Sequence, residues 1–151
     1  MRIGRAGKII LIAALAVVAL PIYIRFFSGP SLRKDGLVRA SMSYRYFPET
    51  PKDGERGQYI TLEGSTEDAG LLGRFLAVAN AGRRTIAHKC MGYGEVVLHY
   101  KDGTTRTLGF LLGHHEDSYE LAEHGAFYRV DRVAFREVAG ALGIDREKLP
   151  P

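Results

Sequence analysis

Residues 95–111 read EVVLHYKDGTTRTLGFL, and this stretch decides the fold. Two runs rich in β-branched and aromatic residues flank Lys101-Asp102-Gly103, the pattern of a β-hairpin. Two turns are open to it. A two-residue Asp-Gly loop pairs Lys101 with Thr104 and scatters the apolar side chains over both faces. A three-residue loop with Gly103 left-handed pairs Tyr100 with Thr104. It gathers Val96, Leu98, Tyr100, Leu108 and Phe110 on one face. A slip of one residue would send a strand's whole apolar set to the wrong side, so burial selects the second register.

Working outward, residues 37–47 (LVRASMSYRYF) alternate with the period of a half-buried strand. Val38, Ala40, Met42, Tyr44 and Tyr46 fall on one side, and Arg39, Ser41, Ser43 and Arg45 on the other. A polar loop, PETPKDGERG, leads to a short second strand over 58–63 (QYITLE), its expected hairpin partner. Ser65 and Asp68 have capping-box spacing, which predicts a helix capped by Ser65 with two acids in its first turn. Leu71, Leu72, Phe75, Leu76 and Ala79 form its apolar stripe, and Gly82 is the expected left-handed stop. Residues 82–94 carry no periodic signal. Residues 118–122 and 126–130 flank Glu123-His124-Gly125 as a further hairpin. Asp131 caps a last helix carrying Val133, Ala134, Val138, Ala141 and Leu142, closed by Gly143. The expected class is α+β, in the order β-β-α-β-β-β-β-α. A mainly antiparallel sheet of about six strands carries both helices on one face and leaves the other free.

The segments VVLHYKDGTTRTLGF, SYELAEHGAFYRV and FREVAGALGI give residues 58–144 a pattern that resembles small extracytoplasmic domains of bacterial membrane-anchored proteins and lipoproteins of unknown function. The resemblance lies in the order of elements and implies no catalytic residue.

The N-terminus places the chain. Arg2, Arg5 and Lys8 precede IILIAALAVVALPIYI, an uncharged run over 9–24 that extends past Arg25 to Phe27. About 19 residues give roughly 28 Å of helix at about 1.5 Å per residue, close to a bilayer's hydrocarbon core. The expected organisation is a basic tail over 1–8, a transmembrane signal-anchor helix over 9–27, a tether over 28–36 and a domain over 37–151. A cleaved signal peptide is the competing reading. Arg25, Arg33, Lys34 and Arg39 offset the basic tail in the positive-inside count. The short tail favours a cytoplasmic N-terminus and a single-pass protein of the cell membrane, its domain outside.

Composition removes one function class. The net charge is +4. Four of the 21 Lys and Arg residues flank the apolar segment, and the other 17 match the 17 Asp and Glu, all of which follow residue 30. The domain is formally neutral and its basic residues are scattered, so nucleic acid is not an expected partner. The expected partners are the lipid bilayer, through 9–27, and a protein or envelope component.

Catalytic motifs are absent, and no cofactor is expected. His114, His115 and Asp117, with Glu116, form the densest group of metal-ligand types. They carry the alternative reading, a membrane-tethered metal-binding protein or hydrolase. His88 and Cys90, at i and i+2, are a second candidate pair. Cys90 is the lone cysteine and reads first as a small buried hydrophobe. Tyr44, Tyr46, Tyr59, Tyr93, Tyr100, Tyr119 and Tyr128 are candidates for a binding face. The favoured reading is a noncatalytic binding module.

Overall fold

A computed structural model describes residues 14, 17–21, 29–46, 58–86, 92–112 and 115–149. Seven strands form one sheet: β1 (Leu37–Tyr46), β2 (Ile60–Thr66), β3 (Arg83–Thr85), β4 (Gly94–Tyr100), β5 (Thr105–Leu112), β6 (Ser118–Glu123) and β7 (Ala126–Asp131). Their spatial order is β2-β1-β4-β5-β6-β7-β3, and every pairing is antiparallel. Helices α1 (Ala69–Asn80) and α2 (Arg132–Ala141) pack on each other and on one face, and a 3₁₀ turn (Arg146–Lys148) follows.

The α+β antiparallel class stands. The count of about six strands is corrected to seven by β3, which pairs with β7 at the sheet edge. Residues 83–85 are Arg-Arg-Thr and carry no apolar alternation, so only backbone pairing makes them a strand. The central hairpin takes the register that burial selects. The Tyr100 amide donates to the Thr104 carbonyl at 3.0 Å, and Gly103 has φ +78°. Val96, Leu98, Tyr100, Leu108 and Phe110 are all buried. The β6–β7 turn is tighter than expected: Glu123 pairs with Ala126 around a two-residue loop. His124 (φ 49°) and Gly125 (φ 76°) adopt the left-handed pair of a type I′ turn.

Helix ends differ from the sequence expectation in three places. Asp68, not Ser65, caps α1, accepting from the Leu71 amide at 2.8 Å; Ser65 belongs to β2. No acid lies in the first turn of α1. Gly82 is not a left-handed stop. Ala81 ends α1 in right-handed geometry, and Gly82 is small because a Cβ there would meet the Ala79 carbonyl oxygen at 2.9 Å. At α2 the expectation holds. Gly143 has φ +96°, the Gly143 amide donates to Gly140 and the Ile144 amide to Ala139, the paired bonds of a Schellman cap.

Phe110 and Phe135 stack with centroids 5.1 Å apart and planes within 4°. Tyr119 meets both edge-on, at 5.1 and 5.7 Å, Tyr44 meets Phe110 and Phe75 meets Phe135. Burial pushes the Tyr44 hydroxyl up to about 12. Val133, placed in the α2 stripe by spacing, points outward at 67 % exposure.

Residues 29–36 do not hang free of the domain. Leu32 is buried. The Asn80 side chain accepts from the Leu32 amide at 2.6 Å and donates to its carbonyl at 3.0 Å. Arg106, paired with the buried Glu123, donates to the Pro30 and Ser31 carbonyls. Arg33 lies over the Tyr100 ring and bonds Asp102 at 2.6 Å. The Thr104 hydroxyl, then the Arg33 guanidinium, hold the Asp102 carboxyl down at about 2. Of the segment 9–27 only residues 14 and 17–21 are described, all helical. Among the described residues no helix is long and apolar enough to cross a membrane.

Truncating Phe135 to Ala should cost about 3–5 kcal/mol in urea denaturation, whereas Val133→Ala should stay within about 0.5 kcal/mol. A depressed carboxylate contributes stability above its unfolded value and loses it as pH falls through its folded one. The Arg33–Asp102 contact should therefore weaken from about pH 4 down to about pH 2. A carbon-13 titration of the Asp102 carboxyl should show a midpoint near 2, moved up by Thr104→Val.

Candidate functional site

The helices cover one face of the sheet, so the outward side chains of β2, β1 and β4 are left uncovered. Alternation along β1 sends Ala40, Met42 and Tyr44 into the core and turns Arg39, Ser41, Ser43 and Arg45 away from it. Register then builds rows across three strands. Ser43 sits opposite Glu63 of β2 and opposite Glu95 of β4. Adjacent strands lie about 4.8 Å apart, so the two glutamate backbones are roughly 10 Å apart with the serine between them.

Two hollows open on this face, about 420 and 350 Å³ in volume. Ser43, Glu63 and Glu95 line both, which makes one continuous groove. Arg39, Ser65 and Val97 extend it one way, and Arg45, Tyr59, Thr61 and Gly92 the other. Arg39 donates to the Ser65 hydroxyl at 3.4 Å, and the Arg45 guanidinium lies 5.2 Å above the Tyr59 ring. Among the described residues neither Glu63 nor Glu95 makes an ion pair, so both carboxylates are free to accept from a ligand.

Ser41 and His99 face each other across β1 and β4, with Oγ and Nε2 3.3 Å apart. These are the atoms of a nucleophile and its base. The surrounding β1 and β4 backbone is engaged in ladder pairing, which leaves no amide donor for an oxyanion beside Ser41. Among the described residues no hydrogen bond fixes the other ring nitrogen of His99. The arrangement suits hydrogen bonding to a bound molecule better than acyl transfer.

The described residues among those singled out by sequence do not gather into one site. His115 and Asp117 are exposed in the turn before β6, where Asp117 accepts from the Arg132 amide through its backbone. His114, His88 and Cys90 lie outside the described residues. Among the described residues no three His, Cys, Asp or Glu side chains are grouped to hold a metal ion. Tyr44, Tyr100 and Tyr119 are core residues, and Tyr46 and Tyr93 pack against that core. Tyr59, 52 % exposed, reaches the groove. Glu120 of β6 is 1 % exposed.

Compared with family models, with curated proteins and with solved structures, the chain matches none.

The face assignment is testable. Ser43→Trp should fill the groove and leave the unfolding free energy from urea denaturation within about 0.5 kcal/mol of the parent, because the position opens outward. Its neighbour Met42, 2 % exposed, points the other way. Met42→Ser should cost about 2–4 kcal/mol through lost packing and a buried hydroxyl.

Proposed function

We propose that the protein is a membrane-anchored, noncatalytic binding module that holds a polar ligand in the groove across β2, β1 and β4. The observation that carries this reading is the row Glu63–Ser43–Glu95, two carboxylates without an ion pair among the described residues flanking a hydroxyl, with Arg39 and Arg45 at its ends. Hydroxyls, carboxylates and guanidinium groups together supply donors and acceptors along one open surface. Tyr59 adds a flat apolar ring. Such a lining fits a chain of polar units, an oligosaccharide or a short peptide, better than an apolar molecule.

The anchor is supported by the uncharged run over 9–24 and by the exposure of its described part. Val17, Val18 and Leu20 are helical and 73 %, 62 % and 59 % exposed. Three large apolar side chains on one helical stretch need an apolar environment that the domain does not provide. Lipid over residues 9–27 supplies it, with the domain on the outer side of the cell membrane. The metal-binding alternative through His114, His115 and Asp117 has no comparable support.

The full chain in detergent should bind members of a panel of soluble oligosaccharides and short peptides by isothermal titration calorimetry. Ser43→Trp should weaken that binding at least about tenfold. Binding unchanged in Ser43→Trp would remove the groove from the account. A cysteine at exposed Lys101, in a Cys90→Ser background, should react with a membrane-impermeant thiol reagent in intact cells. Labelling only after lysis would invert the topology.

A further inference from the structure

Two arginines stand side by side at the β3 edge. Arg83 of β3 is directly opposite Arg129 of β7, so both project from the same face of the sheet, the one opposite to buried Val130. Like charges in direct cross-strand register oppose folding. Arg83 is exposed and, among the described residues, neither arginine makes an ion pair or a hydrogen bond. The Nε of Arg129 is buried without a partner. An orphaned buried donor costs stability unless an acceptor arrives. Glu120, opposite Arg129 on β6, is 1 % exposed and balances one of the two cations. One positive charge and a set of fork-shaped donors remain.

The position of this pair narrows its ligand. Gly29 packs so closely on the end of α1 that a Cβ there would strike the Asn80 carbonyl oxygen, with the Gly82 carbonyl oxygen 3.0 Å away. The chain therefore enters the domain beside Gly82, the residue before Arg83. Phe27, the end of the apolar segment, is two residues from Gly29, at most about 7 Å of chain. Residues 29–36 are pinned by Asn80 and Arg106, so the entry point cannot drift from the β3 edge. Ile86, directly after β3, is 85 % exposed, an apolar side chain suited to the headgroup boundary.

We propose that Arg83 and Arg129 clamp the phosphate of an anionic lipid headgroup and hold the β3 edge against the bilayer. The clamp rests on the anchor reading above. It gives the domain a fixed attitude toward the membrane, and arginine's planar fork suits phosphate oxygens.

The test uses the full chain reconstituted into vesicles of phosphatidylcholine alone, or of phosphatidylcholine and phosphatidylglycerol at roughly seven to three. Amide exchange over β3 and β7 is read by mass spectrometry. The proposal predicts slower exchange there in the anionic vesicles, by about fivefold or more for each arginine engaged. Arg83→Gln, an exposed change that leaves folding intact, should erase most of the difference, Arg83→Lys should keep part of it, and Lys101→Gln should leave it unchanged. Equal exchange in both vesicles would overturn the clamp and leave the anchor standing. Protection in neutral vesicles on adding inorganic phosphate, equal to that in anionic ones, would assign the site to free phosphate and overturn the lipid. Failure of the chain to float with either vesicle would overturn the anchor, and the clamp with it.

Discussion

Phe135 lies flat on Phe110, and the rest of the molecule is arranged around that contact. It fixes α2 to the middle of the sheet, and Phe75 brings α1 in beside it through the same ring. Aromatic pairs of this kind contribute about 0.5–1.5 kcal/mol each beyond the area they bury. Here they converge from β1, β5, β6 and both helices. Because both helices are committed to one face, the other face of β2, β1 and β4 is left to polar side chains. The groove is thus a consequence of where the core is built.

The same layer takes in the chain's entry. Residues 29–36 have the composition of a loose connector, with Gly29, Pro30 and Ser31 in succession. Yet Leu32 joins the core, and Asn80 treats its backbone as a neighbouring strand would. Glu123 is buried and Arg106 partly so, a pair that holds its geometry better than an exposed one. Connection and domain are therefore one mechanical unit.

Much of this fold is legible in the sequence, for identifiable reasons. The central hairpin is readable because one register buries five apolar residues and the other divides them. The β1 alternation named the outward set Arg39, Ser41, Ser43 and Arg45. It could not name Glu63 and Glu95 as their neighbours, because that requires β1 to lie between β2 and β4. β3 was invisible, since Arg-Arg-Thr has no apolar pattern and pairs through backbone alone. The pinned entry was invisible too, because its partners lie 48 and 76 residues away. Val133 was misplaced because helical spacing gives a stripe but not its edges, and the Phe135 side of α2 is the one that docks.

The central claim is that the uncovered face of β2, β1 and β4 is where a ligand binds. Amide chemical-shift mapping of the full chain during titration with a bound oligosaccharide or peptide tests it most directly. The account predicts shifts centred on Ser41, Ser43, Glu63 and Glu95, fading toward β6 and the helices. Shifts centred on α1, α2 or the turn at His115–Asp117, with β1 unmoved, would contradict it.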